Sequence, residues 1–197
     1  MSRINPIATE SAAGTARELL GGVQKKLGMT PNMMATMAHS AAVLDAYLKF
    51  SGALGAGVLP AETREQIALT VGEANGCRYC LSAHSAIGKM VGLTQDQILD
   101  ARCAKASDAK TAAILKLASL LVEKRGLVSD DDIAAARDAG VNDAEIAEVV
   151  ANTSLNLFTN YFNHVADPEI DFPLAGTLPS SSSSEACGCH DDSCSAA

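Results

Sequence analysis

The stretch EANGCRYCLSAH, residues 73–84, decides the fold prediction, because it ends one helix and begins the next at a pair of cysteines. Asn75 and Gly76 tolerate the left-handed backbone conformation that terminates helices, so the apolar stripe over residues 62–74 should end there. A second helix should begin at about Cys77. The quoted stretch therefore predicts two consecutive helices with a cysteine pair at their junction.

The same pattern of apolar helical stripes and stop signals extends over most of the chain. Prolines, glycines and capping residues predict helices over residues 11–27, 31–54, 62–74, 77–91 and 94–101, and further helices that begin at Ser107 or Asp108, at Ser129 and at Asn142. No segment alternates apolar and polar residues convincingly enough for a strand. The sequence thus predicts an all-α fold.

Composition and charge narrow the class of protein. Of the 197 residues, 48% are hydrophobic and 19% are charged, which leaves ample apolar material for a core. A formal net charge of −8 repels phosphate backbones and anionic lipid, so we expect neither nucleic-acid nor membrane partners. The first residues lack a basic segment followed by an apolar one, and no run approaches the roughly 18 apolar residues of a membrane span. We therefore expect a cytoplasmic protein.

The cysteine pair carries the clearest chemical signal. At the start of a helix, Cys77 and Cys80 lie near unpaired backbone N–H groups and the positive end of the helix dipole, which favour the thiolate. His84 follows one turn later on the same face, and its unperturbed pKa of about 6.5 suits an imidazole that relays a thiol proton. The pattern indicates a thiol that attacks, a second thiol that resolves the product as a disulfide, and a proton relay.

Other interpretations of the pair remain open at this point. A C-x-x-C pair with a histidine also supplies three zinc ligands, and His39, Cys103 or His164 is a candidate fourth. A typical structural zinc site has two separated ligand pairs, whereas the part of this chain expected to fold has one. The cysteines are also small enough to be ordinary core residues. A thioredoxin-like fold would need a strand before the pair, and none is predicted.

The spacing around the pair resembles a known family. Glu65, eleven intervening residues and then C-x-x-C-x-x-x-H is similar to the motif of the alkylhydroperoxidase D-like branch of the carboxymuconolactone decarboxylase superfamily. The resemblance covers roughly residues 31–172 and includes the stretch NYFNHVADPEIDFP, residues 160–173. It implies an all-helical domain of the alkylhydroperoxidase D-like type, in a homo-oligomer that is a trimer or a hexamer.

The resemblance also implies residue roles and partners. Cys80 would be the peroxidatic cysteine, Cys77 would resolve its sulfenic acid as a disulfide, and Glu65 with His84 would form the proton relay through a water. Tyr79 stands where some members carry a second histidine, which shortens the relay. The expected partners are a hydroperoxide substrate and a reductant, either a small dithiol or a peroxiredoxin, lipoyl or thioredoxin-like protein. No cofactor is expected.

Two further patterns involve residues outside the motif. The methionines at positions 29, 33, 34 and 37 are more typical of packing or an interface than of a site. Asn156, Asn160, Asn163 and His164 place polar groups on an otherwise apolar last helix. They indicate a lined pocket, a subunit contact or hydrogen bonding within the core. Glu73 is the rival of Glu65 as the carboxylate of the relay.

We divide the chain into an N-terminal helical arm (1–30), the alkylhydroperoxidase-like domain (31–173) and a Ser-rich linker with a disordered tail (174–197). Residues 170–178 cross the boundary between the last two parts, and we expect them to form an extended arm on a surface. The tail concentrates thiol and imidazole groups that suit adventitious zinc or copper(I), or that feed electrons to the cysteine pair. These groups belong to Cys187, Cys189, His190 and Cys194.

The sequence therefore predicts a thiol-dependent hydroperoxidase or disulfide reductase that serves antioxidant defence. One alternative is a lyase acting on a carboxylated lactone, as in the decarboxylase branch, although that chemistry needs no redox dithiol. The other is a metal-binding or redox-sensing protein that uses the cysteine pair, His84 and the Cys-rich tail.

Overall fold

A computed structural model describes residues 2–178 of the chain, and every regular element within these residues is a helix. The helices are α1 (Gly14–Leu27), α2 (Asn32–Met37), α3 (Ala41–Gly55), α4 (Ala61–Ala74), α5 (Arg78–Met90), α6 (Gln95–Arg102), α7 (Ala109–Glu123), α8 (Asp130–Asp138) and α9 (Asp143–Ala166). The all-α prediction is confirmed.

Side-chain caps fix most of the helix starts that the sequence predicted. Thr94, Ser129 and Asn142 each form a capping box with the residue three positions later, at the starts of α6, α8 and α9. Asp108 rather than Ser107 caps α7, and its carboxylate accepts a hydrogen bond from the backbone of Thr111 at 2.8 Å. These caps pair N–H groups that a helix start otherwise leaves without a partner.

The continuous helix predicted over residues 31–54 is wrong, because the chain breaks it into α2 and α3. Ser40 adopts an extended conformation (φ −123°, ψ 107°), and its side chain accepts a hydrogen bond from the backbone of Val43. A serine that bonds to nearby backbone offers the chain an alternative to helix continuation. The Met- and Ala-rich composition on both sides concealed this break.

The larger of two hydrophobic cores is centred on α4, which contacts α5, α6, α7 and α9. Its innermost side chains are branched aliphatic ones that are almost fully buried: Leu59, Ile67, Leu69, Val71, Ile98, Leu115, Leu117 and Val149. We call this group the aliphatic core. It fixes the position of α4, the helix that carries Glu65.

A smaller core forms where α1, α2 and α3 meet the first turns of α5. Leu20, Met37 and Leu44 are fully buried in it, and Cys77 and Cys80 belong to the same cluster. We call this group the cysteine core. The cysteine pair therefore lies inside the protein, among apolar side chains from four helices.

After α9, residues 167–178 form an arm without helical structure that lies along α5. The backbone N–H of Ala175 donates to the Ser82 hydroxyl at 3.1 Å, and Arg102 donates to the carbonyl of Gly176 at 2.7 Å. This placement agrees with the extended arm predicted for residues 170–178. The Cys-rich tail lies outside the described residues.

Candidate active site

The cysteine pair lies at the junction that the sequence predicted. Gly76 takes a positive φ of 62° after the end of α4, and Cys77 then becomes the N-cap of α5. Its Sγ accepts a hydrogen bond from the backbone N–H of Cys80 at 3.3 Å, so the sulfur itself caps the first turn. The two cysteines form a disulfide, with 1% and 3% of their surfaces exposed.

Glu65 and His84 lie together, although 19 positions separate them in the sequence. Packing of α4 against α5 places Glu65 Oε2 2.7 Å from His84 Nδ1, and both side chains are largely but not fully buried. Burial, together with the Glu65 carboxylate, raises the pKa of nearby Tyr47 to about 12. Tyr47 therefore stays a neutral hydroxyl beside this pair throughout the physiological pH range.

The rival candidates occupy other positions. Glu73 forms an ion pair with the buried Arg102, whose Nε lies 2.6 Å from Glu73 Oε2. His39 is exposed and its Nε2 contacts the Asn5 carbonyl at 2.9 Å, and His164 is exposed as well. Among residues 2–178, no three or more histidine, cysteine or acidic side chains are grouped so that they could hold a metal ion.

A cavity of about 300 Å³ joins the catalytic candidates. Cys80, Glu65 and His84 all line it, whereas Cys77 does not. Most of the lining is apolar and comes from α2, α3, α5, α9 and the arm, with Met33, Met34, Tyr47, Ile87, Leu155 and Phe172 among the residues that contribute. A small apolar molecule in this cavity would lie in the same space as the Cys80 sulfur and the Glu65–His84 pair.

The packing role predicted for the methionines is confirmed for Met33 and Met37, which are buried in the cysteine core, and Met34 packs against that core. In addition, Met29, Met33 and Met34 line the cavity. Methionine is flexible and polarisable, which suits a surface that must adapt to a ligand. The sequence gives no sign of this role, because the same residues at helical spacing also form ordinary cores.

The arm supplies contacts that sequence reasoning missed. The Tyr79 hydroxyl donates to Asp171 Oδ1 at 2.7 Å and accepts from the backbone N–H of Met33 at 3.2 Å. Burial raises the pKa of Tyr79 well above its usual range, so the hydroxyl keeps its proton. Phe172 packs edge-on against the Tyr79 ring, with 5.9 Å between the centroids. Tyr79, one of the two residues between the cysteines, is thus held by the arm.

Asn163 on α9 is the second residue that the sequence did not assign to the site. Its Nδ2 donates to Cys80 Sγ at 3.2 Å and lies 3.4 Å from Met33 Sδ. Only 4% of its surface is exposed, and it lines the cavity. The available signal was the run of asparagines on an apolar helix, for which a lined pocket was one of three interpretations.

None of the described helices is long and apolar enough to cross a membrane.

The sequence matches the family model described as "Carboxymuconolactone decarboxylase family" over residues 26–123, a segment that includes Glu65, both cysteines of the pair and His84. No curated protein matches the chain.

Several solved structures share the fold. An uncharacterized peroxidase-related protein from Ralstonia eutropha JMP134, described as an alkylhydroperoxidase AhpD core, is 25% identical, with a TM-score of 0.77 over 86% of this chain and 92% of its own. A second uncharacterized peroxidase-related protein, from Silicibacter sp. TM1040, is 24% identical, with a TM-score of 0.73 over 80% and 85%. A cysteine-to-alanine variant of the debrominase Bmp8, in complex with 2,3,4-tribromopyrrole, is 20% identical, with a TM-score of 0.74 over 87% and 92%.

The family match covers the motif, and the fold agrees with the AhpD core along most of both chains. The chain belongs to the carboxymuconolactone decarboxylase family, in its alkylhydroperoxidase D-like branch.

Proposed function

We propose that the protein is a thiol-dependent hydroperoxidase that reduces organic hydroperoxides at Cys77 and Cys80. The observation that carries this proposal is the shared cavity: one member of a disulfide-forming cysteine pair and a hydrogen-bonded Glu65–His84 pair line the same apolar space. Membership of the alkylhydroperoxidase D-like branch supports the same conclusion.

In the first half-reaction, the Glu65–His84 pair takes the proton of the Cys80 thiol, in the proposed mechanism through a water. The thiolate then attacks the terminal oxygen of R–O–O–H, so the S–O bond forms and the O–O bond breaks. The alkoxide leaves as ROH with a proton returned by the relay. Cys80 is oxidised to a sulfenic acid, and the hydroperoxide is reduced by two electrons.

In the second half-reaction, the Cys77 thiolate attacks the sulfur of the Cys80 sulfenic acid. The S–S bond forms, and hydroxide leaves and is protonated to water. An external dithiol then reduces the disulfide by thiol–disulfide exchange and becomes a disulfide itself. A dihydrolipoyl group, a thioredoxin-like protein, a peroxiredoxin or a small thiol would each serve as donor. We propose a cytoplasmic location, because this cycle needs a reducing compartment.

The cavity favours organic hydroperoxides over hydrogen peroxide. Its volume of about 300 Å³ is far larger than hydrogen peroxide needs, and its walls are largely methionine, leucine, isoleucine and aromatic side chains. An apolar R group gains free energy by leaving water for such a surface. The lyase alternative finds less support, because acid–base decarboxylation has no use for a disulfide-forming pair.

A second candidate activity is the reductive removal of halogen from a small aromatic ring. Its support is the fold shared with the debrominase Bmp8, together with the enclosed apolar cavity at Cys80. The reaction balances as Ar–Br plus two thiols giving Ar–H, bromide, a proton and a disulfide. Supplying 2,3,4-tribromopyrrole in place of the hydroperoxide and measuring bromide release would distinguish this activity from the peroxidase.

Self-association is part of the proposal. Val150, Phe158, Tyr161 and Val165 are exposed apolar residues whose spacing places them on one stripe of α9, opposite the face that carries Asn163. Ser154 is exposed among them, and a cluster of exposed apolar residues on one helix face commonly marks a protein–protein contact. We propose that a second copy of this chain covers it, which sedimentation velocity of the purified protein would measure.

The experiment that tests the main proposal is steady-state reduction of cumene hydroperoxide with dihydrolipoamide as the reductant. We expect wild-type turnover to fall at least about 100-fold in Cys80→Ser, because the attacking sulfur is gone. Cys77→Ser cannot form the intramolecular disulfide, so its turnover depends on direct reduction of the Cys80 sulfenic acid by dihydrolipoamide and should be slower than that of the wild type. Cys103→Ser, which changes a cysteine at the end of α6, is the matched control. Negligible rates in the wild type and in Cys80→Ser alike would contradict the proposal.

A further inference from the structure

Asn163 combines two unusual properties. Among residues 2–178, it supplies the one side-chain hydrogen bond donated to Cys80 Sγ, at 3.2 Å from its Nδ2. Its Oδ1, by contrast, is buried and has no hydrogen-bond partner. A buried polar atom without a partner costs stability, so burial of this oxygen is an expense to the fold.

A role at the Cys80 sulfur would explain why the protein buries the Asn163 amide despite this cost. The hydrogen bond from the Asn163 amide to Met33 Sδ, at 3.4 Å, is weak, since thioether sulfur is a poor acceptor. A thiolate is a far stronger acceptor, because a hydrogen bond to an ionised partner is shorter and roughly twice as strong as one between neutral groups. The amide therefore gains most when Cys80 is reduced and ionised.

We propose that Asn163 is a catalytic residue of the thiol site, whose side-chain amide stabilises the Cys80 thiolate that attacks the substrate. The inference rests on the proposed function and deepens it. The amide transfers no proton. It donates its hydrogen bond before the S–O bond forms, and it donates again when reduction of the disulfide returns Cys80 to the thiolate. Asn163 thus acts on both the reactivity of the sulfur and the stability of the reduced pair.

The surroundings of Cys80 strengthen this effect. The cavity wall around the sulfur is largely apolar, so water competes little for the thiolate and the amide hydrogen bond is electrostatically strong. The charged or titratable groups that face the cavity with Cys80 are Glu65, His84, Arg64, Tyr47 and Tyr79, with Asp171 behind Tyr79. Arg78, which follows Cys77, is exposed. A substitution of Asn163 leaves all of these groups unchanged.

The test compares Asn163→Leu with a matched control, Asn160→Leu, in full-length protein. Leucine keeps the branch at Cγ of asparagine, with two larger methyl groups in place of the amide atoms, and cannot donate a hydrogen bond. Asn160 is also a fully buried amide on α9 with an unpartnered atom, its Nδ2, but its Oδ1 accepts a hydrogen bond from Asn75 Nδ2 and forms none with the cysteine pair. The control therefore reports the loss of a buried amide without loss of the contact to sulfur.

The first readout is the rate of Cys80 alkylation by iodoacetamide as a function of pH, followed by mass spectrometry of the Cys80 peptide in a Cys77→Ser background. We expect Asn163→Leu to raise the apparent pKa of Cys80 by about one unit, which means about tenfold less thiolate at neutral pH. Asn160→Leu should leave this titration unchanged. Asn163→Asp, which keeps the shape but adds a carboxylate, should raise the pKa further.

The second readout is the equilibrium of the Cys77–Cys80 disulfide with a dihydrolipoamide and lipoamide buffer. Asn163→Leu should shift this equilibrium toward the disulfide by up to about tenfold, because the thiolate loses its donor. Neither readout requires hydroperoxide turnover, so failure of the proposed function would leave this test intact. An unchanged pKa and an unchanged equilibrium in a folded Asn163→Leu or Asn163→Asp protein, checked by circular dichroism, would overturn the inference.

Discussion

The aliphatic core and the cysteine core differ in what they leave unfilled. None of the buried side chains of the aliphatic core lines the cavity of about 300 Å³, whereas Met33, Tyr79, Cys80 and Ala83 of the cysteine core all do. The first region gains stability from close packing of branched side chains. The second region gives up part of that packing to enclose a space beside a sulfur.

The cysteine core is also the region that holds the candidate catalytic groups. Around the cysteines lie Glu65 and His84 in contact with each other, the Tyr79–Asp171 hydrogen bond and the buried amide of Asn163. Buried polar groups cost stability unless they are fully paired. Stability therefore depends mainly on the aliphatic core, whereas the candidate active site lies at the cysteine core. Helices α4 and α9 contribute to both regions.

The largest effect that should separate the two regions is that of Glu65→Gln. Loss of the carboxylate removes the partner of His84, and we expect kcat/KM for cumene hydroperoxide to fall about 100- to 10,000-fold, the usual contribution of a positioned acid–base group. Thermal stability should change little. The control is Glu62→Gln, a charge-matched change at an exposed position of the same helix. Equal activity in the two variants would remove Glu65 from the relay.

The next effect should appear in stability alone. Leu115 is fully buried in the aliphatic core, so Leu115→Ala should lower the free energy of unfolding by about 2–5 kcal/mol, as measured by urea denaturation. The peroxidase activity per folded molecule should be kept. Leu127→Ala changes a leucine that is 83% exposed and should be nearly silent. A large loss of activity in folded Leu115→Ala would break the division between the two regions.

The smallest of these effects should come from Tyr79→Phe, within the cysteine core. This change removes a donor to Asp171 and an acceptor for the Met33 N–H, and we expect a loss of about 1–3 kcal/mol in the free energy of unfolding. Tyr161→Phe, at a position that is 58% exposed, is the control for deleting a tyrosine hydroxyl. Equal stability of both variants would mean that the arm is not held through Tyr79.

Local signals made much of the fold predictable from the sequence. Helix caps and the Asn75–Gly76 stop signal act over a few residues, so they can be read without the tertiary structure. The motif spacing likewise selected Glu65 over Glu73, and the structure pairs Glu73 with Arg102 instead. The catalytic roles of the motif residues remain predictions. The break at Ser40 was missed because, in a helix-rich sequence, a serine that caps a helix looks the same as a serine that does not.

The unpredicted parts of the site depend on contacts between distant segments. Asn163 reaches Cys80 across 83 positions, and Asp171 reaches Tyr79 across 92. Neither residue belongs to a local pattern that identifies its partner, because only the packing of α9 and the arm on α5 creates the contact. An asparagine on an apolar helix signals that something polar is enclosed, but the sequence does not say what.

The cap formed by Cys77 offers a way to follow the reaction of the disulfide in solution. Its sulfur accepts the N–H of Cys80, so the residue that completes the disulfide also protects an amide in the first turn of α5. If the reductant of the proposed cycle forms its mixed disulfide with Cys77, that sulfur would turn toward the reductant and leave the Cys80 amide uncovered. Hydrogen exchange at the Cys80 amide would then accelerate in one state of the redox cycle, which gives a backbone signal for a reaction between sulfurs.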